Sequence, residues 1–176
     1  MTSQGTYQAF MLDYVAGSLP PAMQTAAAIH RLMSSSGGEA AELWEVTRDI
    51  LDEARDISMD DVDRRNGIAE ALDIIQTDFE TVRWRRGLTG VRYARPRSGA
   101  GQLMHLKPGQ SVFAHGHSAL EATVVLDGEF EDGIGRYQPG EIVLATPGFK
   151  HRPAAAGNTA CTCYVAKGDT PFWRFT

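Results

Sequence analysis

Along the first eighty residues the apolar positions recur with a helical period. Tyr7, Phe10, Met11, Tyr14 and Val15 share one face, and Gly17 makes a natural stop. A second helix is predicted from Ser18 as cap, with proline in its first turn, through Ala22–Leu32 to a break in Ser34–Gly38. The third and longest is predicted from Glu39 to about Ile57. Ala40, Leu43, Trp44, Thr47, Ile50, Leu51 and Ala54 lie on its inner face and charged residues on the other. An acidic turn at Met59–Asn66 and a last helical stretch at Ile68–Gln76 follow.

Beyond this point the period falls to two. Short runs at Leu103–Leu106, Ser111–Ala114, Glu121–Leu126, Glu141–Ala145 and Thr159–Ala166 are separated by Pro-Gly, Asp-Gly and glycine-rich turns. Many short strands with close turn signals mean a sandwich or a barrel. The predicted class is α+β, a small helical module over 1–79 followed by a β module over 80–176.

Charge divides the chain in the same place. Residues 1–80 carry fifteen Asp/Glu against five Lys/Arg, a net of −10, and residues 81–176 carry seven against twelve, a net of +5. The acidic half would repel nucleic-acid phosphates and attract a basic protein surface, so no direct nucleic-acid partner is expected. No apolar run approaches the ~18–20 residues that cross a bilayer, and the N-terminus lacks the pattern of a signal peptide. With two cysteines, Cys161 and Cys163, too close on one strand to suit a mutual bridge, a disulfide framework is excluded and a cytoplasmic setting fits.

The chemistry concentrates in Gly109–Gly128. His115 and His117 stand two apart and so on one face of a strand, Glu121 begins the next strand, and His151 follows the Pro147-Gly148 turn. Three neutral imidazoles and one carboxylate suit one divalent ion: zinc, iron, manganese, nickel or copper. His105 reads instead as a satisfied or surface polar residue.

The spacing G-x5-H-x-H-x3-E-x6-G, met by Gly109, His115, His117, Glu121 and Gly128, resembles the first cupin motif. Gly140, Pro147, Gly148 and His151 approximate the second, although the turn is a residue shorter and Ala155 stands where asparagine is usual. The resemblance implies a cupin β-barrel, a double-stranded β-helix, in the second half. The whole chain further resembles the ChrR family of anti-sigma factors. The resemblance rests on Leu12–Leu19 with His30 thirteen residues after Gly17, on Asp127–Gly140 and on His151-Arg152-Pro153. It implies a helical domain that clamps an extracytoplasmic-function sigma factor and keeps it from RNA polymerase. It also implies a metal-bearing cupin, with zinc as the family's metal, that tunes release under oxidative or photooxidative stress.

The chain departs from that family where a second zinc belongs. The pattern H-x3-C-x2-C keeps His30 but has Ser34 and Gly37 at the cysteine positions, and no histidine precedes His30. A helical module without zinc is therefore expected, stabilised by Phe10, Met11, Tyr14, Leu43, Trp44 and Leu51, with His30 a leftover polar residue at a helix end. Cys161 and Cys163 are either small buried hydrophobes or an oxidisable pair facing the metal cavity.

Two functional classes remain side by side. One is a regulatory protein with a sigma-factor partner. The other is a stand-alone metal-dependent cupin, dioxygenase-like or merely binding a small molecule. No general acid or base is identifiable, so no catalytic residue is assigned. Arg85, Arg92 and Arg152 could orient an anionic ligand. Cupins commonly pair through barrel edges, which leaves a homodimer open.

Overall fold

The computed structural model of the chain describes residues 3–53, 62–97 and 100–168, with the side chains of 51–53 and 62–66 left aside. Its helices are α1 (Gln4–Val15), α2 (Pro21–Met33), α3 (Ser35–Glu53) and α4 (Val62–Ile75). Ser3 caps α1 by accepting a hydrogen bond from the Thr6 amide at 3.1 Å, and Gly17 ends that segment at φ +70°. Ser18, expected to cap α2, instead donates to the Asp13 carbonyl at 3.2 Å. Pro20 holds the cap position, and Pro21 opens the helix with its fixed φ.

Helix α2 is the pivot of this half. Met23, Ala26, Ala27, Ala28 and Ile29 are all sealed from solvent. The helix touches α1, α3, α4 and two barrel strands. Alanine on several faces permits close approach on several sides, which a larger side chain would prevent.

Helix α3 begins at Ser35, four residues before the predicted start, so the Ser34–Gly38 stretch is no break. Ser34 accepts the Gly38 amide at 3.0 Å, and Gly37 lies against α2, where a Cβ would stand 2.4 Å from the His30 carbonyl oxygen. Close packing here depends on the missing side chain. The apolar face predicted for α3 is only partly covered. Ala40 is buried and Trp44 half-buried, its indole donating to Gln8 at 3.2 Å, but Leu43 is 58% exposed and Ile50 62% exposed. Helical periodicity identifies an apolar face, not what covers it. Leu51, Ala54 and the predicted end near Ile57 lie outside the described side chains and residues. So do Met59–Asp61, while Val62–Asn66, predicted as a turn, is helical in α4.

The strands are β1 (Arg85–Arg86), β2 (Arg92–Ala94), β3 (Gln102–Leu106), β4 (His115–Gly116), β5 (Glu121–Asp127) and β6 (Phe130–Glu131). They continue with β7 (Arg136–Tyr137), β8 (Ile142–Ala145), β9 (Lys150–His151), β10 (Ala154–Ala155) and β11 (Cys161–Lys167). One sheet runs β1-β2-β3-β11-β5-β8; a second runs β10-β6-β7, and β4 pairs with β9. The fold is thus N-terminal helices followed by a β-rich cupin barrel. Ser111–Ala114, predicted as a strand, makes a lone bridge from Ser111 to Ala154, and the Val112 amide bonds the Pro153 carbonyl at 2.8 Å.

Strand β11 is buried on both faces. Tyr164 and Ala166 join the core shared with the helices, whereas Cys161 and Cys163 join the barrel's inner core with Leu106, Val125 and Phe130. The Tyr164 hydroxyl lies 3.2 Å from the Ala22 carbonyl of α2. At the other end of α2, His30 Nδ1 lies 2.7 Å from the Gly140 carbonyl oxygen. Gly140 has φ +87°, and a Cβ there would stand 2.5 Å from the Met33 carbonyl oxygen. Helix and barrel are therefore fastened at both ends of α2. Among the described residues no helix is long and apolar enough to cross a membrane.

Placing a methyl group at Gly37 overpacks a backbone contact, at a cost of about 1–3 kcal/mol. Gly37→Ala is expected to lower the denaturant midpoint at unchanged slope. Gly38→Ala, whose Cβ meets nothing nearer than 3.7 Å, should not lower it.

Candidate metal centre

The predicted quartet converges. His115 on β4 is the register partner of His151 on β9, so the antiparallel pair alone brings two imidazoles together. His117 follows two residues after His115, and Glu121 turns inward as the first residue of β5. One donor atom from each of the four lies within 4.8 Å of all the others. The three rings stand edge to face, with centroids 4.7–4.9 Å apart.

The donor chemistry fits a divalent ion. His117 Nε2 and His151 Nε2 face each other at 2.8 Å, and His117 Nδ1 is 3.6 Å from Glu121 Oε2. Nitrogen atoms held this close cannot both carry a proton toward the other. His115 Nδ1 lies 2.9 Å from the Phe113 carbonyl, which accepts its proton and leaves Nε2 as the free donor atom. Burial lowers the pKa of His117. Burial, followed by the neighbouring His117 and His115, lowers that of His151 to about 4. Both effects favour the neutral imidazole, the form that ligates. His151 Nδ1 is buried without a hydrogen-bond partner among the described residues. These four residues could hold a metal ion.

Beside the quartet lies a cavity of about 280 Å³, whose walls include Tyr93, Met104, Phe113, Glu121 and Lys167. Lys167, not singled out in the sequence, approaches Glu121 Oε2 to 3.6 Å. Counting by twos from Cys161 through Cys163 and Val165 places it on the inward face of β11, which was the available signal.

The remaining sequence candidates lie elsewhere. The sulfurs of Cys161 and Cys163 are 3.5 Å apart, both residues are fully buried, and neither is among the residues that line the cavity. Burial first, then the neighbouring thiol, raises the Cys163 pKa well above its ordinary value. His105 is satisfied by Thr162 Oγ1 at 3.0 Å. Arg152 contacts Ser111, while Arg85 and Arg92 lie on the β1-β2 hairpin. His30 is more than a leftover polar residue. It is 3% exposed, and besides Gly140 it meets the Tyr7 hydroxyl at 2.8 Å through Nε2. Sequence distance hid these partners, since one lies 23 residues away and the other 110.

A barrel of this topology with three histidines and one glutamate at its mouth is a cupin. The chain belongs to the ChrR cupin-like domain family, whose model matches residues 74–171. The anti-sigma-E factor ChrR of Cereibacter sphaeroides is 37% identical over 106 residues, 58% of this chain and 49% of the relative. The chain thus matches about half the length of that curated relative. The solved complex of Rhodobacter sphaeroides SigE with the anti-sigma ChrR gives a TM-score of 0.74 at 27% identity, over 92% of this chain and 96% of the matched chain.

Two outcomes follow from the geometry. The pKa of His117, His151 and, through burial, His30 is lower folded than the ordinary 6.5, so the unfolded chain binds more protons as pH falls. Stability of metal-stripped protein should therefore be full above about pH 6.5 and decline as pH drops from there toward 4, measured by urea unfolding at each pH. The two thiols should resist an aromatic disulfide reagent in the native protein and react only on unfolding, counted by absorbance.

Proposed function

We propose that this chain is a cupin anti-sigma factor. Its helical module, residues 1–79, binds an extracytoplasmic-function sigma factor, and its barrel, residues 80–176, holds one divalent metal ion and modulates release. The observation that carries this reading is the extent of the structural match. It takes in 92% of the chain, helices as well as barrel, and the matched protein is an anti-sigma bound to a sigma factor.

The exposed face of α3 supports it. Leu43, Val46 and Ile50 are each about 60% exposed, and Glu39, Glu42 and Asp49 are exposed on the same helix. Apolar side chains bordered by carboxylates suit a partner that is apolar at the centre of contact and basic at its rim. The departures at Ser34 and Gly37 do not remove this face. They lie at the start of α3, where Tyr7, His30 and Gly140 form a hydrogen-bonded cluster of their own.

His115, His117, Glu121 and His151 are the ligands in this reading, with zinc the family's metal and iron, manganese or nickel compatible with the same donors. An ion bound there would supply a positive charge holding together His115, Glu121 and His151 from three strands and His117 from the loop after β4. Phe113 orients His115 through its carbonyl, and Lys167 balances part of the Glu121 charge. An oxidant-sensing role for Cys161 and Cys163 would require the barrel to open first, because neither thiol is exposed. Replacing both by serine without changing an oxidant response would remove that role.

The test is capture of the tagged whole chain from its native host, followed by mass spectrometry and metal analysis. A stoichiometric sigma factor and about one metal ion per chain are expected. Leu43→Glu with Ile50→Glu should abolish sigma recovery and leave metal content unchanged, whereas His151→Ala should lower metal content. Recovery of the metal protein alone would end the anti-sigma reading and favour a stand-alone cupin.

A further inference from the structure

The positive charge of the second half is not spread through it. Residues 81–120 contain seven Lys/Arg and no Asp/Glu, and six of the seven are the arginines at 83, 85, 86, 92, 95 and 97. Without that segment the second half would be close to neutral. The structure collects all six on and beside one hairpin. β1 pairs with β2 antiparallel, Arg85 opposite Tyr93 and Arg86 opposite Arg92. The return is tight, with the Gly87 amide on the Val91 carbonyl at 2.8 Å, and Leu88 stands fully exposed at its tip. β1 is the outer edge of the six-stranded sheet, away from β11 and β5, which carry α2.

Arg83, Arg85, Arg86, Arg95 and Arg97 are exposed and Arg92 is half-buried. Among the described residues none of the six makes an ion pair or a side-chain hydrogen bond. Arginines elsewhere do so: Arg31 with Glu45, Arg48 with Asp49 and Arg136 with Glu131. Arg83 and Arg95 line two neighbouring grooves of about 650 Å³ each. One is shared with Trp84, Arg85 and Tyr93, the other with Arg97, Asp73 and Asp78. Those two carboxylates share the groove with the patch, and among the described residues neither forms an ion pair with it.

Salt screens exposed charges of one sign, but their combined field attracts an anionic partner more strongly than scattered charges would. The choice of arginine throughout favours phosphate, which the planar guanidinium meets with two parallel hydrogen bonds. Exposure decides between a small phosphate and a polymer. A solvated guanidinium gains little from one small anion, whereas successive phosphates on a nucleic-acid strand release counterions at every contact. A two-stranded ribbon is also a shape that the major groove of duplex DNA admits. We infer that the arginine hairpin, residues 83–97, is a sequence-independent binding surface for the phosphate backbone of nucleic acid. The expectation of no nucleic-acid contact averaged charge over each half; the hairpin concentrates it.

The test is fluorescence anisotropy with the whole chain and a labelled mixed-sequence DNA, as duplex and as single strand, from about 25 to 200 mM salt. Binding is expected although the chain carries a net −5, with a log–log salt slope of about −4 to −6 on duplex. Arg85→Glu with Arg86→Glu should weaken it at least roughly tenfold at unchanged circular dichroism and melting temperature. Arg86→Glu alone should weaken it about threefold or more, whereas Arg136→Glu, a single reversal of the same kind outside the hairpin, should leave it within about twofold. Three results would each overturn the inference: no binding at the lowest salt, equal loss from the two single reversals, or displacement by poly-glutamate as readily as by unlabelled DNA.

Discussion

Strand β11 has to satisfy two environments at once, and the rest of the molecule is arranged around that demand. Tyr164 and Ala166 seal against the helices while Cys161, Cys163 and Val165 fill or line the barrel, so a one-residue slip would exchange the two sets. It lies between β3 and β5 in the six-stranded sheet. The partner β5 begins with Glu121, so the strand that holds the helices also fixes the start of the strand that presents the carboxylate. The helical half and the metal centre thus share one central element.

The quartet was legible because strand geometry and spacing constrain it. A spacing of two keeps His117 beside His115 although β4 ends at Gly116, and the pairing of β4 with β9 brings His151 opposite His115. Its supporting groups were not legible to the same degree, since Phe113 acts through a backbone carbonyl that carries no residue signature. The β1-β2 hairpin was also hidden. Strands of two and three residues give alternation too little length to appear, and arginine-rich segments read as loop.

Helix positions were read well at α1 and poorly at the start of α3. Ser-Gly-Gly sequences favour turns by local preference, but here the tertiary contact with His30 selects glycine inside a helix. The exposed Leu43 and Ile50 show the opposite limitation. Their spacing matches a buried face, and among the described residues nothing covers them.

The bond from His30 to Gly140 ends on a main-chain carbonyl. Any residue at that position offers the same acceptor, so recognition on the barrel side does not depend on side-chain identity; the demand there is steric, for a residue without a Cβ. On the helix side the demand is chemical, for a ring nitrogen at one height and a second facing Tyr7. The joint therefore divides its requirements unequally. The barrel loop contributes shape and the helix contributes chemistry, and substitutions on the two sides would fail for different reasons, a clash on one and a lost donor on the other.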